Sequence, residues 1–291
     1  LYTSVPDNVS NPLICIVGPT GAGKSELAIR MAESLDGEIV NCDSLQIYKG
    51  FDIGTAKVPA EQRRGIPHHL IDVADPRNVF TAGEYSRRAR ELIREISGRG
   101  KTPIVAGGTG FYLRALLEGL SPLPARSEEL RNKLKGRRLH RLLRRLDPEA
   151  AGRIHENDTP KLTRALEVRL LSGRRASEQA PPDPLRGYAI RKIGIFPPRQ
   201  ELYARLDRRC EWMFENGLIG EVKGLLEQGV PADAKPFESL GYRQALAVVR
   251  GEMDGEAAIR DTQQATRNYA KRQITWFRHE PGIEVWASNG A

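Results

Sequence analysis

A chain of 291 residues, 40% hydrophobic and 28% charged, can bury a core of its own without disulfide or metal staples. No apolar run approaches the roughly 20 residues of a membrane span. Three widely spaced cysteines, Cys15, Cys42 and Cys210, form neither a metal pattern nor a disulfide framework, so a reducing cytoplasm is expected. The net charge of +8 points to a polyanionic partner, and Arg126 to Arg175 carries all of the excess, with fifteen Lys or Arg against seven Asp or Glu.

The elements follow in chain order. Residues 1–11 lack the regions of a signal peptide and read as a disordered leader. Leu13 to Val17 reads as a buried strand, and Lys24 to Leu35 as a helix with Leu27, Met31 and Leu35 on one face. Strands are expected at Glu38 to Cys42 and His69 to Val73. Thr81 and Glu84 form a capping box that starts a helix over Ala82 to Ser97, and Pro103 to Ala106 is the next strand. Alternating strands and helices predict an α/β fold: a parallel sheet flanked by helices. From Ser121 to about Gly187 the strand signal vanishes. Asp147-Pro148 and Thr159-Pro160 read as N-caps followed by proline, and Pro160 to Leu171 as a helix stopped by Gly173. Residues 122–187 are therefore read as a small, basic, all-helical insertion between core segments 12–121 and 188–291. A strand at Ala189 to Phe196 follows, then helices at Glu201 to Phe214, Ile219 to Gln228 and Glu256 to His279, and a short strand at Ile283 to Trp286. Trp212, Phe214, Trp276 and Phe277 sit at core spacings.

Gly18-Pro19-Thr20-Gly21-Ala22-Gly23-Lys24-Ser25 matches G-x-x-x-x-G-K-[ST] between a strand and a helix. The glycines let several N–H groups point at one anion. The helix N-terminus adds partial positive charge and Lys24 a full one. The Ser25 hydroxyl can ligate a magnesium ion held by the same phosphates. The loop says polyphosphate without saying which, so an ATP-dependent kinase and a diphosphate-releasing transferase both stay open. Asp43, after the second strand, opens on the same crevice. It can act as a general base or a magnesium neighbour, or simply cap a helix.

Four motifs in order carry a resemblance: the phosphate loop, Asp43-Ser-x-Gln-x-Tyr48, Asp52-Ile-Gly-Thr-Ala-Lys57 and Gly107-Gly-Thr-Gly-Phe-Tyr112. With Arg164-Ala-Leu-Glu-Val168, Gly241-Tyr-Arg-Gln244 and Lys271-Arg-Gln-Ile-Thr-Trp-Phe-Arg278, the chain resembles the tRNA dimethylallyltransferase (isopentenyltransferase) family from Ile14 to Arg278. The resemblance implies a P-loop NTPase-like core. It implies transfer of a five-carbon unit from dimethylallyl diphosphate to the exocyclic amine of the adenosine 3′ of the anticodon, with Mg2+ as cofactor and a monomer expected. Residues Gly18 to Ser25 and Arg205 would bind the diphosphate. Asp43 would accept the proton, and Thr109 would contact the adenosine and support Asp43. The implied tRNA contacts are Asp43, Ser44, Leu45, Gln46, Thr109, Arg131, Pro160, Lys161, Leu162, Thr163, Arg164, Gly241, Tyr242, Arg243, Gln244, Lys271, Arg272, Gln273 and Arg278.

Two departures stand out. The insertion is shortened, with Lys133-Leu-Lys-Gly136 running almost directly into Arg137. Lys161 stands where the family usually has arginine, which keeps the charge and loses the bidentate fork. A bacterial type is implied, since the zinc-finger extension of eukaryotic members is absent. Transfer to free adenine nucleotides is the rival within the same chemistry.

Overall fold

A computed structural model describes residues 11–121, 123–178 and 182–286. Of the leader expected at residues 1–11, residues 1–10 lie outside them, and Asn11 belongs to the first strand. Residues 11–117 with 185–286 form one compact unit, and Glu118–Pro184 a second. The limits expected from the sequence, 122 and 187, move because the Leu185 N–H already bonds the Leu117 carbonyl at 2.8 Å.

In the first unit the strands are β1 (Asn11–Val17), β2 (Gly37–Asn41), β3 (His68–His69), β4 (Thr102–Gly107), β5 (Tyr188–Gly194) and β6 (Ile283–Val285). Among the described residues they form one six-stranded sheet, order β3-β2-β4-β1-β5-β6. Every strand pair is parallel. β1 is apolar from Leu13 to Val17 because that stretch is buried on both faces. Leu13, Cys15 and Val17 join one core cluster, while Ile14 and Ile16 pack with Leu27, Ala28 and Ile29 of α1 (Lys24–Ser34).

The register decides where the functional groups fall. Val17 of β1 pairs with Gly107 of β4, and Asn41 of β2 pairs with the adjoining Ala106. Three strand ends therefore line up, and the segments after them open together at the carboxyl edge.

The expected strand over His69 to Val73 shrinks to His68–His69. Leu70 (φ 59°) and Asp72 (φ 56°) leave the extended region, and the turn carries the Asp72 carboxylate to Lys57, 2.5 Å away. α2 (Ala82–Gly98) starts as its capping signal demands, with the Thr81 side chain accepting from the Glu84 N–H. α3 (Gly110–Leu117) follows β4 at once. The adjacent histidines are structural: His68 Nδ1 lies 2.8 Å from the Ile66 carbonyl, and His69 Nε2 lies 2.7 Å from Glu38.

The second unit contains α4 (Glu128–Leu134), α5 (Leu139–Leu146), α6 (Pro148–Arg153) and α7 (Thr159–Ser172). Leu134, Leu143, Leu162 and Leu166 form its core. Asp147 caps α6 through the Ala150 N–H and also accepts from Ser177. The cap of α7 is Asp158 rather than Thr159, because its carboxylate reaches the Lys161 N–H and leaves Thr159 inside the helix.

Back in the first unit lie α8 (Arg199–Glu215), α9 (Leu218–Glu227), α10 (Tyr242–Val249) and α11 (Gly255–Arg278), the last leading to β6. Trp212 departs from the core expectation and is exposed, whereas Phe277 is buried.

Candidate active site

β1 ends at Val17 and the chain swings at Gly18, φ 143°, where a Cβ would lie 2.4 Å from the Ile195 carbonyl oxygen. No other residue fits there. The loop then delivers Lys24 and Ser25 as the first turn of α1, so its N–H groups face the strand ends. Gln273 of α11 fastens the loop. Its Oε1 accepts from the Thr20 N–H at 2.8 Å, and its Nε2 donates to the Gly108 carbonyl at 2.9 Å.

Two cations converge on this loop. The Lys24 ammonium donates to the Pro19 carbonyl at 2.7 Å. Burial lowers it to about 8, against the opposing pull of the Asp43 charge. Arg209 of α8 donates to Thr20 Oγ1 at 2.6 Å, and its buried Nε has no hydrogen-bond partner among the described residues. Burial lowers this guanidinium too. Arg205, assigned to the diphosphate by resemblance, is exposed and donates to the Gly21 carbonyl at 3.0 Å. Half-buried Arg209, one helical turn further on, holds its Nε away from solvent, and no sequence motif singles it out.

Asp43 follows β2. Its Oδ1 accepts from the Leu45 N–H at 2.9 Å and more weakly from the Gln46 N–H at 3.4 Å. One oxygen thus caps the turn, while the other accepts no hydrogen bond among the described residues and remains available to a substrate. Capping and proton acceptance are therefore compatible, one oxygen for each. Thr109 supports this turn indirectly: its hydroxyl accepts from the Ser44 N–H at 3.1 Å and lies 3.3 Å from Ser44 Oγ. It makes no hydrogen bond to Asp43, and it is not among the residues lining the adjacent cavity. The support expected of Thr109 for Asp43 therefore runs through Ser44 rather than through a direct bond. Gly107 makes the arrangement sterically feasible, since a Cβ there would sit 2.1 Å from the Cys42 carbonyl oxygen.

Loop, carboxylate and arginines open on one cavity of about 670 Å³. Thr20, Lys24, Ser25, Asp43, Arg205 and Arg209 line its polar side. Ala28, Ile39, Val58, Ile71, Met213 and Leu240 supply apolar wall. The space can hold an anion at one end and an apolar group beside it, with a carboxylate in reach. Ser25 and Asp43 offer hard oxygen donors, and no cluster of three or more acidic, His or Cys ligands occurs among the described residues. Such a set suits Mg2+ held largely by substrate oxygens and water, and does not suit an all-protein metal cage.

The model of the IPP transferase family matches residues 46–280. The chain belongs to the IPP transferase family. Its relatives include the tRNA dimethylallyltransferase of Solibacter usitatus, 60% identical over 94% of this chain and 92% of that protein. The tRNA dimethylallyltransferase of Koribacter versatilis is 50% identical over the same shares. Among solved structures, the tRNA isopentenylpyrophosphate transferase of Bacillus halodurans superposes with TM-score 0.72 at 36% identity, covering 95% of this chain and 89% of that one. A eukaryotic dimethylallyltransferase acting on tRNA superposes with TM-score 0.82 at 29% identity, over 95% of this chain and 73% of that one.

Within this IPP transferase fold, several residues assigned to tRNA by resemblance are engaged internally. Tyr242 is fully buried; its hydroxyl donates to Glu221 and accepts from the Gly54 N–H at 3.1 Å. Gln244 is buried, accepting from the Gly241 N–H at 2.9 Å and donating to Asp261 at 2.8 Å. Gln273 is the buried fastener described above, and Leu162 belongs to the core of the helical unit. The side chains of these four serve the scaffold. Arg131 and Arg164 both grip the buried Glu167, and Lys161 pairs with Asp158 at 2.7 Å. Burial alone would raise the Glu167 carboxyl, but bonds from Arg131, the Ser127 amide and Arg164 prevail and hold it at about 2.

Open positive charge in the helical unit lies elsewhere. Arg137, Arg138, Arg141, Arg144 and Arg145 are exposed and make no ion pair among the described residues. Leu139, Leu142, Leu143 and Leu146 turn the other face of α5 into the core. The signal was available: those leucines recur at helical spacing, which forces the intervening arginines outward. In the first unit, Lys271, Arg272 and Arg278 are exposed on α11, and Arg243 is exposed on α10. No helix among the described residues is long and apolar enough to cross a membrane.

Proposed function

We propose that this chain transfers the dimethylallyl group of dimethylallyl diphosphate to the exocyclic amine of the adenosine 3′ of the anticodon in tRNA, releasing diphosphate. The observation that carries the reading is one cavity holding both an anion cradle with two enclosed cations and a carboxylate with a free oxygen. Relatives at 44–60% identity are tRNA dimethylallyltransferases, which supports tRNA as the acceptor.

An adenine amine is a poor nucleophile, so the allylic carbon must be made strongly electrophilic. Lys24, Arg209 and the loop N–H groups stabilise the charge that gathers on the leaving diphosphate. Ser25 would hold Mg2+, with Asp43 nearby; when bound, the ion neutralises diphosphate charge. The C–N bond forms as the allylic C–O bond breaks, and its electron pair leaves with diphosphate. The proton lost by the amine passes to the free oxygen of Asp43. The base must leave its stack to reach that oxygen. The arginines of α5, with Lys271, Arg272 and Arg278, supply phosphate-binding charge for an RNA.

Mass spectrometry of tRNA incubated with the protein, Mg2+ and dimethylallyl diphosphate tests this. A five-carbon adduct on the adenosine next to the anticodon is expected. Modification of AMP or ATP in place of tRNA, or ATP hydrolysis without any adduct, would replace the reading with a nucleotide prenyltransferase or a kinase.

A further inference from the structure

One polar side chain in the cavity has no place in the scheme above. Thr262, Thr266, Tyr269 and Gln273 recur at helical spacing along α11 and all line the cavity. Gln273 fastens the phosphate loop, but the Tyr269 hydroxyl makes no hydrogen bond among the described residues. The Arg272 guanidinium lies 5.6 Å from the centre of the Tyr269 ring, which holds the ring from one side. Burial, with the Asp43 charge adding to it and Arg272 opposing, raises the phenol to about 12. It therefore keeps its proton at neutral pH and is available as a donor. Asp43 lines the same cavity, and no hydrogen bond joins the two side chains. A substrate group can occupy the gap.

The chemistry of adenine fits that gap. Its exocyclic amine carries hydrogens, which an acceptor such as Asp43 must meet. The ring nitrogens flanking the amine carry lone pairs and need donors. We propose that the Tyr269 hydroxyl donates a hydrogen bond to a ring nitrogen of the adenine whose exocyclic amine faces Asp43. The inference rests on the tRNA-prenylation reading above. Tyr269 and Asp43 together then present the donor and acceptor pair that matches the amine edge of adenine. A purine with a carbonyl at that position would put an oxygen against the Asp43 carboxylate.

The test uses Tyr269→Phe, which removes only the hydroxyl, and three anticodon stem-loops carrying adenosine, 1-deazaadenosine or 7-deazaadenosine at the target position. With adenosine, kcat/KM is expected to fall about tenfold in the variant. With the one analogue that lacks the bonded nitrogen, wild type and variant should turn over equally. With the other analogue the difference should persist. Affinity for dimethylallyl diphosphate should not change, which checks that the fold survives. Equal rates for both proteins on all three substrates would overturn the inference. So would the same fractional loss on all three, since that marks a general defect rather than a contact. If the wild type modifies none of them while binding the donor, the tRNA reading itself falls and takes this inference with it.

Discussion

The two units of the chain handle positive charge in opposite ways. In the sheet unit Lys24 and Arg209 are drawn out of water toward one small loop, and burial lowers both. In the helical unit the arginines of α5 stay in solvent, while Arg131 and Arg164 are neutralised by the buried Glu167. Enclosed charge is costly unless an anion arrives, so the first arrangement suits a compact, highly charged ligand. Spread, hydrated charge is cheap to maintain and suits an extended polyanion. A high arginine count is therefore a weak guide to function until the partners of each arginine are known.

The comparison can be broken most severely at the carboxylate. Asp43→Ala should cut transfer by about 10²–10⁴-fold while diphosphate binding survives, measured by single-turnover prenylation and by calorimetry. Normal turnover would remove Asp43 from the chemistry. Next comes the choice between neighbouring arginines. Arg209→Gln should lower kcat about 100-fold, because its guanidinium sits on the phosphate loop at Thr20 and lines the cavity, whereas Arg205→Gln should cost only a few-fold. The reverse ranking would restore Arg205 as the diphosphate ligand.

The helical unit is sharpened by two changes. Glu167→Ala leaves two arginines facing a buried site and should cost about 3 kcal/mol of stability, read from a denaturant melt of the whole protein. The wild-type contribution of Glu167 has a defined pH window. Its folded carboxyl sits near 2 against an ordinary 4.5, so the stabilisation is full above 4.5 and is lost as pH falls toward 2. Neutralising Arg141, Arg144 and Arg145 together should weaken tRNA binding about tenfold at low salt. The salt dependence should flatten by about one unit of slope for each phosphate no longer neutralised. Diphosphate affinity should not move.

The smallest effect belongs to pH at the cradle. With Lys24 near 8 in the free protein, diphosphate binding should weaken as pH rises past that value, and binding above it should take up a proton. Calorimetry in buffers of different ionisation enthalpy reads that uptake, and Lys24→Met should abolish it.

Much of the sheet unit was legible in the sequence because its signals are local. Leu13 to Val17 is apolar throughout since it is covered on both faces, and the Thr81 cap on the Glu84 N–H starts α2 where expected. The phosphate loop and Asp43 could be placed at one edge because each follows a strand of a parallel sheet. What escaped depends on side-chain direction. Arg205 and Arg209 lie one turn apart on α8, and only the packed helix shows which one is half-buried against the Thr20 hydroxyl. Tyr242 and Gln244 look like exposed contact residues in a motif, yet the first closes over Gly54 and the second caps its own helix. The strand expected through Val73 failed because Leu70 and Asp72 turn the backbone to meet Lys57.

Diffraction from crystals grown separately with dimethylallyl diphosphate and with ATP would interrogate the cradle itself. The account predicts the prenyl donor with its diphosphate against Lys24 and Arg209, and its allylic carbon turned toward the free oxygen of Asp43. An empty loop in the first crystal, with ATP bound and cleaved at its terminal phosphate in the second, would contradict it.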